Sequence, residues 1–203
     1  TGVETLAVGR CDGRVLARDV TAPLALPSFD NSAMDGYAFR HADLAAAGAD
    51  GLRLAGAQFA GVATGQVLGI GECIEITTGA PMPAGADTVA IVEAVRREGD
   101  QVHVPGDTSE GANVRAAGED VRAGDIVLRA GQVLHPARVS LAAALGLDTL
   151  PVARRPTVAV FTTGDELVEP GMPLEPGQVY NSNREQLMGL LRADGLEPVA
   201  WPT

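Results

Sequence analysis

The sequence is poor in aromatic residues, in cations and in cysteine. Aromatics make up 3% of its 203 residues, so Val, Leu, Ile and Ala must fill the core that a 46% hydrophobic content can supply. Lys and Arg number 15 against 26 Asp and Glu, giving a net charge of −11. Those cations are dispersed and form no basic patch, which speaks against nucleic acid as a partner. An acidic surface also repels anionic membranes, and no apolar run approaches the roughly 20 residues that span a bilayer. The opening "TGVETLAVGR" has neither a basic n-region nor a long apolar stretch, so no secretory signal and a cytoplasmic setting are expected. Cys11 and Cys73 stand far apart with no C-x-x-C, and read as ordinary thiols in a reducing compartment. His41, His103 and His135 lack the H-x-x-x-H or H-E-x-x-H spacing of a zinc site. The signatures G-x-x-x-x-G-K-[ST], G-x-G-x-x-G and G-x-S-x-G are absent too. A standard nucleotide loop and a hydrolase nucleophile elbow therefore lack support.

What is abundant is turn-forming sequence. With 25 Gly and 13 Pro, turns should be frequent and long helices the minority, which points to a β-rich, mixed α/β fold. Residues Leu6 to Val20 predict a short helix leading into a strand. Pro23 and Pro27 then enforce extended chain. From about Ser28 to Asp120, "LRLAG", "ECIEITTG", "TVAIVEAV" and "QVHV" predict strands between Gly-rich turns, a compact β domain. "RAGDIVL" and "RAGQVL" predict two short strands turning at Ala130-Gly131. "HPARVSLAAALGLD" predicts a helix, with Pro136 in its first turn and Gly146 past its end. Pro151 and Pro156 bracket a boundary. Beyond it, "TVAVF" reads as a strand buried on both faces. "SNREQLMGLLRADG" reads as an amphipathic helix, with Ser182 and Glu185 at capping-box spacing, and "EPVAWPT" begins a further parallel strand. One such βαβ unit cannot bury both faces of a parallel sheet, and too few residues follow Arg155 for a doubly wound domain. The sequence is expected to stop inside its last domain.

Three loops concentrate polar chemistry. "DNSAMDG" fails as a calcium loop counted from Asp30, because Met34 and His41 stand where oxygen ligands are needed. It works as a turn, with Asn31, Ser32 and the aspartates bonding locally, Gly36 permitting positive φ, and Phe29 and Met34 as apolar anchors. The alternative is that Asp30 or Asp35 faces a cleft and binds a hydrated Mg²⁺. "ITTGAPMPAGAD" offers the hydroxyls of Thr77 and Thr78 beside Gly79, with Pro81 and Pro83 stiffening the exit. It suits a loop held against a polar ligand, or a plain rigid turn. "FTTGDEL" follows the buried strand directly, where open α/β sheets bind ligands. Thr162, Thr163 and Gly164 suit a phosphate. Asp165 and Glu166 suit one that carries Mg²⁺. Thr163 and Glu166 equally have the spacing of a helix cap.

Read in order, "LPSFDNSAMDGYAFR", "ITTGAPMPAGADTVAIVE", "GANVRAAGEDVRAGDIVL" and "RPTVAVFTTGDELVEPG" followed by "GQVYNSN" resemble the molybdopterin molybdenumtransferases. These are molybdenum insertases of the MoeA type, similar also to the C-terminal part of gephyrin. The resemblance covers nearly the whole chain. It implies a small linking domain from 1–25 and 121–155, an inserted β domain at 26–120, and an incomplete α/β molybdopterin-binding domain at 156–203. It implies an elongated homodimer that takes adenylylated molybdopterin and molybdate, cleaves the nucleotide linkage with Mg²⁺ and releases AMP. The molybdopterin adenylyltransferase is a candidate delivering partner. The active-site carboxylate of the family falls on Asp35, its threonine on Thr78 and its glutamate on Glu166. Asp35 and Glu166 would hold Mg²⁺, the first two residues coming from one subunit and Glu166 from the other. Asn31, Ser32, Gly79, Thr163, Gly164 and Asp165 would bind substrate. The rest of the family's α/β domain has no counterpart, so the chain is expected not to turn over alone. Rival readings are a non-catalytic scaffold of the same ancestry and a Mg²⁺-dependent phosphate-ester hydrolase, for which no activated nucleophile is present.

Overall fold

The computed structural model describes residues 2–48 and 50–200. It begins with β1 (Val3–Ala7), β2 (Val20–Thr21), β3 (Asn31–Ser32), β4 (Gly36–Phe39), the short α1 (Leu44–Ala47), β5 (Leu52–Gln58), β6 (Glu72–Ile76) and β7 (Thr88–Ile91). Then come β8 (Arg96–Glu98), β9 (Gln101–His103), β10 (Val114–Arg115), β11 (Ile126–Leu128), α2 (Pro136–Ala144) and β12 (Thr149–Ala153). The last stretch holds β13 (Ala159–Val160), β14 (Leu167–Val168), β15 (Val179–Tyr180), α3 (Ser182–Ala193) and β16 (Val199–Ala200). The fold is β-rich with few helices, as the composition implies. Among the described residues no helix is long and apolar enough to cross a membrane. The chain forms two compact units, one of Asp19–Arg129 with Ser140–Leu147, the other of Thr1–Arg18, Ala130–Val139 and Asp148–Thr203.

The first unit is built on a six-stranded sheet in the order β7-β4-β6-β5-β9-β8. Its pairings are antiparallel except that of β5 with β6. Strand β4 is buried along its whole length, and its side chains alternate between faces. Tyr37 and Phe39 join Leu52, Cys73, Ala90 and Val102 in one cluster. Ala38 joins Ile76, Ala80 and Val89 in another. Truncating the fully buried Phe39 to Ala would cost about 3–5 kcal/mol. Outside the sheet, β3 pairs with β10 and β2 with β11, both antiparallel. The turn reading of Gly36 needs correcting. Gly36 is not among the glycines at positive φ. It is glycine because a Cβ there would lie 1.9 Å from the Ala90 carbonyl oxygen, in the strand next door. Phe29 and Met34 are also not anchors, being 48% and 42% exposed.

The second unit departs from expectation in four places. Leu6 lies in β1, which pairs antiparallel with β12, and a single 3-10 turn at Val8–Arg10 follows. The strand partner overrides a helical pattern that Gly9 and Gly13 already weaken. No hairpin forms at Ala130-Gly131, because Ile126 and Leu128 pair with β2 while Val133 bridges Val15. The "TVAVF" run yields only the two residues of β13, and Phe161 is 66% exposed. Helix α3 is capped by Asn181, one residue before the expected Ser182, and its Oδ1 accepts the Arg184 N–H at 3.4 Å. The βαβ unit itself is present. β13 pairs in parallel with β16, with α3 between them in the chain. The end of "EPVAWPT" beyond Ala200 lies outside the described residues. A second parallel pair, β14 with β15, sits inside the crossover.

Candidate functional site

Asp35 and Thr78 meet although 43 positions separate them. The meeting follows from the sheet. β3 and β4 flank the turn carrying Asp35, and Thr78 leaves the end of β6, the neighbour of β4 with Gly36 opposite Ile76. The Thr78 backbone N–H donates to Asp35 Oδ1 at 2.7 Å, and the Thr78 hydroxyl donates to the same oxygen at 2.9 Å. Both residues are exposed. The Thr78 N–H, and after it the Thr78 hydroxyl, hold the Asp35 carboxyl below the usual carboxylate range. An ionised, outward-facing carboxylate with one oxygen tied down is the result.

The surrounding bonds fix this pair in place. The Ser32 hydroxyl donates to the Met34 carbonyl at 2.6 Å, and the Gly79 N–H donates to the Ser32 carbonyl at 2.8 Å. Asn31 and Ser32, expected at the substrate, are buried, and the Asn31 amide donates to the Phe29 carbonyl at 3.2 Å. Asp30 serves the loop rather than a cleft, since its Oδ1 accepts the Ala117 N–H at 2.7 Å. Gly79 takes a positive φ of 77°, which lets the chain reverse directly after Thr78. Across β3, Arg115 of β10 bonds Asp120 at 2.7 Å and Glu119 at 3.0 Å, so the "GANVRAAGED" segment closes on itself beside the turn.

The "FTTGDEL" loop belongs to the other unit. Thr163, Gly164, Asp165 and Glu166 are exposed and follow the carboxyl end of β13. No helix starts there, so the capping reading falls. The Leu167 N–H instead closes a turn on the Gly164 carbonyl at 3.1 Å. The Glu166 carboxylate folds back over Gly164, where a Cβ would come within 2.6 Å of it. Sequence reasoning did not single out Asn181, which is 1% exposed and donates from Nδ2 to Thr162 Oγ1 at 2.7 Å. It ties the start of α3 to this loop. Arg184 on the first turn of α3 grips both carboxylate oxygens of Glu169. A polar residue just before a predicted cap is the signal that would have found Asn181.

Among the described residues no three His, Cys, Asp or Glu side chains gather as a closed metal cage. Magnesium does not require one. It keeps several waters and is held by one or two carboxylates together with substrate phosphates. The ionised Asp35 fits that demand.

A β-rich chain of this topology finds close counterparts. Residues 1–146 match the family model of the MoeA N-terminal region (domain I and II). The chain is 45% identical over 202 residues to molybdopterin molybdenumtransferase 2 of Mycobacterium tuberculosis, covering 98% of this chain and 50% of that protein. It is 40% identical over 185 residues to the molybdopterin molybdenumtransferase of Haemophilus influenzae, covering 91% of this chain and 45% of the other. The crystal structure of the molybdopterin biosynthesis moeA protein from Pyrococcus horikoshii superposes with a TM-score of 0.85 at 33% identity, over 99% of this chain and 54% of that one. The chain belongs to the MoeA family. It spans about half the length of the relatives it matches.

Proposed function

We propose that this chain serves molybdenum cofactor biosynthesis as part of a molybdenum insertase. The reaction takes adenylylated molybdopterin and molybdate, cleaves the nucleotide linkage, leaves molybdenum on the dithiolene and releases AMP. The observation that supports this most is the Asp35–Thr78 pair, an exposed carboxylate kept ionised by two hydrogen bonds to one oxygen. Family membership supports the reaction class.

In this reading the protein works as a homodimer. Asp35 and Thr78 of one subunit face the same ligand as Glu166 of the partner subunit. Asp35 and that glutamate would hold Mg²⁺, which when bound supplies positive charge against the anionic pyrophosphate being cleaved. Thr78 orients Asp35 and offers its hydroxyl oxygen to the ligand. Gly79 of the one subunit and the Thr163–Asp165 loop that precedes Glu166 of the partner subunit line the approach of the phosphates, and buried Asn31 and Ser32 shape the turn from behind. The molybdopterin adenylyltransferase is the partner that would deliver substrate.

The test is AMP release from adenylylated molybdopterin, with molybdate and Mg²⁺, by the complete gene product. Asp35→Asn should lower kcat about 100-fold, the scale of losing one positioned electrostatic group, while the protein stays folded. Wild-type kcat in Asp35→Asn would sink the proposal. The 203-residue chain assayed alone should release no AMP, and robust turnover by it would overturn that part.

A further inference from the structure

Asn113 is, among the described residues, the one non-glycine residue at positive φ, 57°. Left-handed backbone is costly for an L-residue, and Asn is among the few that adopt it. Such a conformation persists only where its surroundings hold it. Here the holding group is its own side chain, whose Nδ2 donates to the Val89 carbonyl of β7 at 2.9 Å. On its N-terminal side the Val89 N–H donates to the Ala112 carbonyl at 2.9 Å. On its C-terminal side Val114 pairs with Ser32. The kink turns the Asn113 carbonyl onto the Ala33 N–H at 2.9 Å, inside the turn that presents Asp35. The far end of that turn is held just past β7, where the Val92 N–H donates to the Asp35 carbonyl at 3.0 Å. The β7 segment and the residue after it thus grip the turn at both ends, at one through Val92 and at the other through Asn113.

We propose that Asn113 is a positioning residue for Asp35: its left-handed turn, locked by the side-chain amide to Val89, sets where the Asp35 carboxylate meets Thr78. Neither the motif reading nor the relatives' names assign it a role. The inference rests on the reading above only in making Asp35 the group worth positioning. The geometry also explains the residue type. Gly would adopt the turn without the lock, Ala would have neither, and Asp would set an acceptor against the Val89 carbonyl.

The experiment compares the wild-type chain with Asn113→Gly and Asn113→Ala by amide hydrogen exchange and proton–nitrogen NMR, with MgCl₂ as the binding probe. In Asn113→Gly the Ala33 and Thr78 amides should exchange about fivefold faster, the worth of one side-chain hydrogen bond. The Thr78 amide proton, which donates to the Asp35 carboxylate at 2.7 Å, should move toward the position of an ordinary exposed amide. Amides of β1, β5 and β12 should not change. Asn113→Ala should show the same pattern more strongly. If Asn113→Ala does not fold, Asn113→Gly decides alone. Wild-type exchange at Ala33 and Thr78 in Asn113→Gly overturns the proposal. So does equal acceleration in β5, which would make Asn113 a general support of the sheet. Magnesium affinity separates the two inferences. If MgCl₂ moves no resonance at Asp35 or Thr78 in the wild-type chain, the magnesium reading fails, and the exchange data still judge Asn113.

Discussion

Gly36→Ala should be the most damaging single-methyl change in this chain. The added Cβ would sit 1.9 Å from the Ala90 carbonyl oxygen, 2.9 Å from the Ala90 carbonyl carbon and 3.1 Å from the Ile91 Cα. All three are backbone atoms of β7, so no rotamer change relieves the clash. Either β4 and β7 separate or the start of β4 moves. Both disturb the pairing of Gly36 with Ile91 and of Tyr37 with Ala90. Overpacking of this kind costs typically 1–3 kcal/mol where side chains can yield, and here they cannot, so about 3 kcal/mol is the expectation. For a domain of this size that lowers the melting temperature by roughly 10 °C. The assay is calorimetry of the wild-type chain, Gly36→Ala and the control Gly106→Ala, whose Cβ would meet open space at an ordinary φ. The control should stay within about 0.5 kcal/mol of wild type. Equal melting temperatures for all three would refute the close-approach account of Gly36.

Two further outcomes follow from the titrating groups. Thr78→Val removes the hydroxyl bond to Asp35 and leaves the backbone N–H bond, which is the larger influence on that carboxyl. A carboxyl held low in the folded state contributes stability above its unfolded value, about 3.9, that is lost as pH falls through the folded value. In Thr78→Val the Asp35 carboxyl should therefore titrate at higher pH than in wild type, still below 3.9. A carbon-detected NMR titration of Asp35 checks this, and an unmoved midpoint refutes it. For the thiols, burial pushes Cys73 up to about 12 and raises Cys11 as well, and both are fully buried. Neither is a thiolate at pH 8, so Ellman's reagent should label no cysteine in the native chain and both after denaturation. Labelling before unfolding would contradict the burial of Cys11 or Cys73.

Periodicity and turn chemistry made much of the fold legible. β5, β6, β9 and α3 lie where apolar spacing places them, and Pro136 and Gly146 mark the ends of α2. What stayed hidden depends on partners distant in sequence. Leu6 reads as helix until β12 is beside it. The "TVAVF" run has strand chemistry, and β pairing needs a neighbour to extend it. Among the described residues β16 offers two. Asn181 and Ser182 are equally good caps by type, so a capping pattern cannot separate adjacent candidates.

The candidate site divides along the same line. The residues alone narrow the choice to Asp30 or Asp35 and to Thr77 and Thr78, with a plain turn as the alternative at each loop, and the family resemblance singles out Asp35 and Thr78. Their contact could not be read, because it requires β4 and β6 to be neighbours in one register. Slipping that pairing by a single residue would turn Tyr37 and Phe39 out of their cluster, so the alternation of small and large side chains along β4 specifies the register. The same register delivers Asp35, the residue before β4, to Thr78, the second residue after β6. The acid is therefore placed by the core. A substitution that loosens Phe39 should disturb Asp35 even without touching it, whereas one that alters exposed Met34 should not.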